Sequence, residues 1–121
     1  MRIIVLLLAG ILALSLHAAD KDGNYAVWGP GEKSCFSYMK ARETDNYDDF
    51  KYFIMGYLTA YNTMADKTFR ISGDKNMSQI LEWVDNYCEP KGVHGFEQAV
   101  TNFILEHHET RQDQARSQFP R

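Results

Sequence analysis

The sequence predicts an all-α protein: a small single-domain bundle of about four helices, stapled by one disulfide. Three observations lead there. Apolar residues recur at helical spacing in four separate stretches, and caps and breakers divide those stretches from one another. The third is a single pair of cysteines, Cys35 and Cys88, lying behind an apolar leader.

The leader comes first. Arg2 supplies a positive start, residues 3–16 are apolar apart from Gly10 and Ser15, and Ala18 and Ala19 offer small residues for cleavage. Residues 1–19 are therefore expected to be a signal peptide. The apolar run falls short of the roughly 20 residues that span a bilayer, so no stable membrane insertion is expected after its removal, and the location is periplasmic or secreted. Cleavage after Ala19 leaves 102 of the 121 residues, enough for one domain. That chain carries 12 Lys and Arg against 16 Asp and Glu, a net charge of −4. Nothing in this balance offers the basic patch that nucleic acid requires. In strong acid the carboxylates neutralise, and the basic residues with His94, His107 and His108 would carry about +15.

Residues 20–33 read as an N-terminal loop centred on Trp28-Gly29-Pro30-Gly31. Ser34 is an N-cap, opening a first helix over residues 35–43 with Cys35, Tyr38 and Met39 at i, i+3, i+4. Asp48 or Asp49 is expected to cap a second helix reaching residue 65. Its stripe of Phe50, Phe53, Ile54, Tyr57, Leu58, Tyr61 and Met64 is the strongest periodic signal in the chain. Gly56 and Ala60 lie beside that stripe as close-packing positions, so this helix is expected at the centre of the bundle. Residues 66–75 form a polar loop in which Ile71 is the one candidate for a short extended piece. Asn76 with Gln79 makes a capping box for a third helix whose buried face is Met77, Ile80, Leu81, Val84 and Cys88, and Pro90 and Gly92 end it. A fourth helix starts near Gly95 with the stripe Phe96, Ala99, Val100, Phe103 and Ile104. The helical domain thus covers residues 34–109, and residues 110–121 read as a polar tail expected to fray.

Catalytic thiol pairs usually come as Cys-x-x-Cys, whereas Cys35 and Cys88 are 53 positions apart. In an exported chain with one cysteine pair, a structural disulfide is the expected reading. His107 and His108 are adjacent and point about 100° apart on a helix, so a metal site is not expected of them, with or without His94. The neighbouring carboxylates Glu82 and Asp85, and Asp48 and Asp49, fit solvated helix faces or caps better than an acid–base pair. No nucleophile elbow, phosphate loop or zinc-protease signature occurs, so neither catalytic residues nor a cofactor are expected. The aromatics Tyr52, Tyr57, Tyr61, Trp83 and Tyr87 remain. Tyr52, Trp83 and Tyr87 are candidate protein-binding residues, with Trp83 and Tyr87 one helical turn apart; the competing reading puts these aromatics on the second buried side of a small bundle.

Residues 34–100 resemble the HdeA/HdeB family of small periplasmic acid-stress chaperones. Tyr38 and Met39 follow Cys35 at three and four positions. Gly56-Tyr57-Leu58-Thr59-Ala60-Tyr61-Asn62 looks like the family's Gly–aromatic segment ending in Asn, and Cys88 closes a helix with Phe96 and Val100 eight and twelve positions later. The resemblance implies a four-helix fold with a Cys35–Cys88 disulfide, a non-enzymatic periplasmic role, and a homodimer that loosens in acid to hold unfolded client proteins. The chain departs from the family at Lys33, where an aromatic is usual, and in its Glu-His-His-Glu stretch and Gln/Arg tail, where lysine-rich flanks are usual. The Gly–Tyr segment and cysteine pair are also similar to the Tai-type immunity proteins of type VI secretion. That resemblance implies instead a periplasmic inhibitor binding one secreted cell-wall amidase. In that family the second cysteine tends to precede the third helix, and here it ends it.

Overall fold

The chain is described by a computed structural model covering residues 19–116. The expected signal peptide lies outside the described residues apart from Ala19. The fold is all-α: α1 (Cys35–Glu43), α2 (Asp48–Met64), α3 (Met77–Cys88) and α4 (Phe96–His107), with 3-10 turns at Gly29–Glu32 and His108–Thr110. Among the described residues the only β-type pairings are two isolated bridges, Ser34 with Gly95 and Arg70 with Gln112.

The helix starts follow local chemistry. Ser34 Oγ accepts the Ser37 N–H at the head of α1. The two donors ahead of it go to the loop before α4: Cys35 N–H to the His94 carbonyl (2.7 Å) and Phe36 N–H to the Gly92 carbonyl (2.9 Å). Phe96 N–H returns to the Lys33 carbonyl at 2.7 Å, so the first turns of α1 and α4 are tied back to back. Asn76 and Gln79 form the reciprocal capping box of α3 as the sequence indicates. The head of α2 differs from expectation. Its N-cap is Tyr47, without a side-chain cap bond, and Asp48 and Asp49 occupy the first turn. There a carboxylate is favoured by the helix dipole rather than by a cap hydrogen bond.

The bundle centres on α4, not α2. α4 packs against α1, α2, α3 and the Gly29–Glu32 turn, whereas α2 packs mainly against α4 and that turn, meeting α1 through Phe50 and Tyr38. The reason lies in what faces outward from α2. Tyr52, Met55, Gly56, Thr59, Ala60 and Thr63 are all exposed, and nothing stands within 4 Å of a Cβ built on Gly56. Gly56 and Ala60 therefore receive no helix among the described residues; an uncharged helix face need not be a buried one. The α2 stripe holds through Phe50, Ile54 and Leu58, with Phe53, Tyr57 and Tyr61 half-buried, but Met64 is 85% exposed where the helix runs out past its neighbours.

Three aromatics from three helices form the core's upper layer. Tyr38, Phe50 and Phe96 meet with ring centroids 4.8–5.4 Å apart. Below them Ile80, Leu81 and Val84 of α3 join Ala99, Val100, Phe103 and Ile104 of α4 in one buried cluster. The loop after α2 is anchored by Asn62, whose Oδ1 accepts the N–H of the buried Ile71 at 2.7 Å. The tail is tied down further than the sequence indicates. Gln112 exchanges backbone hydrogen bonds with Arg70, and Arg111 donates to Lys67, Thr68 and His108.

Candidate functional site

Cys35 and Cys88 are bonded, fully buried, with Cα atoms 5.0 Å apart. The pair joins the first residue of α1 to the last of α3. The same two helices meet again two turns further along. Arg42 donates to both Asp85 oxygens, Nη2–Oδ2 at 2.8 Å and Nε–Oδ1 at 3.0 Å, and Tyr38 Oη donates to Oδ1 at 2.7 Å. Asp85 is therefore the centre of an interhelical ion pair rather than part of a solvated face with Glu82. Burial and the hydrogen bond to Asp85 push the Tyr38 hydroxyl far above the ordinary tyrosine range, and the Asp85 carboxylate raises Arg42 further above its already high value.

A second part of the molecule is closed differently. Residues 25–32 lie as a strap along α2 and α4. Gly29 takes φ +68°, which suits glycine, and Pro30 opens the 3-10 turn. Gly31 is buried because its backbone comes so near the Phe53 ring and Val27 that a Cβ would overlap both. The strap's polar clasp is Glu97, only 6% exposed. Tyr25 Oη donates to its carboxylate at 3.0 and 3.2 Å, Thr101 Oγ1 donates at 2.8 Å, and Tyr57 Oη lies 2.7 Å from Thr101 Oγ1. Hydroxyls from the strap and α4 thus meet on one carboxylate, and the α2 hydroxyl of Tyr57 joins them through Thr101. The bond to Glu97 raises the Tyr25 hydroxyl above its usual value. Among the described residues no Lys, Arg or His pairs with Glu97. Under the strap is a pocket of about 270 Å³ lined by Tyr25, Ala26, Val27, Trp28, Phe53, Tyr57 and Glu97.

The aromatic candidates divide. Tyr52 is 61% exposed on the outer face of α2. Trp83 and Tyr87 are half-buried and stacked, and the Trp83 ring meets Phe103 and His107 edge-on. Tyr87 Oη is 3.1 Å from His94 Nδ1 and accepts from Asn102 at 3.2 Å. These two line the flank of the bundle between α3 and α4. His107 is buried, with Nδ1 2.7 Å from the Phe103 carbonyl, while His108 Nδ1 is 2.6 Å from Tyr61 Oη. The adjacent histidines serve different partners, and no group of three or more metal-ligating side chains converges among the described residues.

Glu97, Tyr25 and Trp28 were not among the residues singled out from the sequence. The signal for Glu97 was faint: it sits beside the α4 stripe with Thr101 one turn on. Trp28, 82% exposed, lay in a segment read only as loop. No helix among the described residues is long and apolar enough to cross a membrane. No family model, curated protein or solved structure compared with the chain matches it.

Proposed function

We propose that this protein acts in an oxidising, extracytoplasmic compartment by binding other proteins, and that acid converts it into a holdase for unfolded chains. The observation that carries this reading is the clasp on Glu97, a buried carboxylate whose donors are all hydroxyls. Protonation removes the charge those hydroxyls are arranged around. Around the clasp the titratable groups are Tyr25 from the strap and Tyr57 from α2, and among the described residues no Lys, Arg or His pairs with the carboxylate. Release of the strap would uncover Phe53, Tyr57 and the edge of Phe96, whose ring lies 5.8 Å from that of Phe53. Protonating Asp85 likewise frees Arg42 and Tyr38. At the same pH the exported chain gains a large positive charge, which favours expansion and separation of subunits. The Cys35–Cys88 bond keeps α1 joined to α3, so the opened chain cannot expand fully.

Suppression of client aggregation by the oxidised mature protein, at pH 2–3 and at pH 7, tests the reading, with an apolar-surface dye alongside. Protection and dye binding in acid alone are expected. Protection at neither pH would sink it. A homodimer at neutral pH belongs to the same reading. The uncharged outer face of α2, from Tyr52 to Thr63, is the surface for it, and sedimentation at pH 7 and pH 3 measures it.

A second reading, a neutral-pH inhibitor of a secreted amidase, draws support from large apolar side chains already exposed in the closed fold: Trp28 82%, Phe36 69%, Tyr52 61% and Val93 95%. It predicts tight binding to a purified amidase at pH 7 that Tyr52→Ala or Trp28→Ala weakens.

A further inference from the structure

We propose that the pocket beneath the strap is a binding site for an organic cation, an alkylammonium group. The argument starts from Glu97. A carboxylate this deeply buried is costly unless it is paired with a cation, yet its partners are two hydroxyls, from Tyr25 and Thr101. Those three contacts fall mainly on Oε1. The longest, 3.2 Å from Tyr25, is the only one to Oε2, so acceptor capacity remains there. Besides Glu97 the pocket is lined by four aromatic residues, Tyr25, Trp28, Phe53 and Tyr57, and by Ala26 and Val27. Aromatic faces attract cations, Trp most strongly, and prefer the weakly hydrated alkylammonium kind. A negative charge set among aromatic residues is the chemistry that selects a positive organic group over a neutral one of the same shape. The volume, about 270 Å³, lies just below the range of drug-sized sites and suits a single headgroup or one side chain. The inference stands apart from the acid-triggered reading, because it concerns the strapped fold at neutral pH.

The test is a titration of the oxidised mature protein at pH 7, followed by amide and indole NMR shifts. The probes are choline, its neutral isostere 3,3-dimethyl-1-butanol, and N-acetyl-lysine methylamide. Choline or the lysine derivative is expected to bind about tenfold more tightly than the neutral alcohol, with shifts at the Trp28 indole and around Glu97. A preference for choline identifies a free methylated ammonium as the ligand; a preference for the lysine derivative identifies a side chain of a partner protein. Glu97→Gln keeps an oxygen for Tyr25 and Thr101 but removes the charge, and should abolish the preference for the cation while leaving the alcohol's affinity unchanged. Trp28→Ala, at a position 82% exposed, should weaken the cation severalfold. Equal affinity for the cations and the alcohol, or no shift with either cation, overturns the proposal. Because that comparison is made on the unaltered protein, it decides the matter even if Glu97→Gln fails to fold.

Discussion

The two sides of this small bundle are closed by different chemistry. On one side α1 and α3 are joined by a covalent bond at Cys35–Cys88 and by an ion pair whose carboxylate, Asp85, faces the permanent cation of Arg42. On the other side the strap of residues 25–32 is held to α2 and α4 by close packing at Gly31 and by Glu97, a carboxylate whose partners among the described residues are hydroxyls. Both are carboxylate-centred, but only one has a covalent backup and a charge partner. The difference teaches which part of a domain can open: the strap can leave without breaking the core's crosslink, whereas α1 cannot leave α3.

The sharpest way to break this comparison is to remove the covalent link. Replacing both Cys35 and Cys88 by Ala should cost about 4 kcal/mol, since the bond closes a loop spanning 53 positions in the unfolded chain. Urea unfolding of the variant beside the oxidised protein measures it. A loss well under 1 kcal/mol would mean that α1 and α3 hold together without the bond, and the contrast between the sides would fail.

Next comes the strap's packing. Gly31→Ala drives a methyl into Phe53 and Val27 and should cost about 1–3 kcal/mol, lowering the melting temperature by about 4–8 °C for each kcal/mol. The strap should become more accessible to proteolysis while α1–α3 keeps its protection from hydrogen exchange. Uniform loss of protection across the chain would show that the sides are not separable.

A smaller effect is expected at the ion pair. Asp85→Asn leaves Arg42 without its anion and weakens the bond from Tyr38; with both charged side chains 26% exposed, water moderates the loss to about 1–2 kcal/mol. Denaturation at pH 7 checks it, and the disulfide should keep the fold intact.

The smallest effect appears only in alkali. The Tyr38 hydroxyl titrates above its unfolded value because of burial first and the Asp85 bond second. A raised value means the folded state holds its proton longer than the unfolded chain. The stabilisation is fully present below about pH 10 and is lost as pH rises beyond it. Tyr38→Phe should flatten that alkaline limb of the urea midpoint between pH 9 and 11 and leave the acid limb unchanged. An unchanged alkaline limb would remove Tyr38 from the α1–α3 lock.

Much of this was legible in residue order. The capping box at Asn76, the Ser34 cap, the stripes of α3 and α4 and the breaker at Pro90 are local devices, each set by neighbours within one turn, so helix identity and most boundaries follow from them. The two cysteines of an exported-looking chain likewise left one pairing. The site was less legible because its parts are far apart in sequence. Glu97 meets Tyr25 across 72 positions, and Asp85 meets Arg42 across 43. Periodicity ranks a glutamate next to an apolar stripe as solvated, and only the arrival of the strap over α4 buries it.

The sequence by itself therefore determined the helices, most of their starts and the crosslink, because hydrogen-bond capping and helical spacing act over a few residues. Only the tertiary structure decided that α4 rather than α2 is central, that Gly56 and Ala60 face outward, and that a loop centred on Trp28 becomes a strap clasped by a buried carboxylate. Those outcomes depend on which surfaces meet, and the free energy of burial is settled between elements rather than within them.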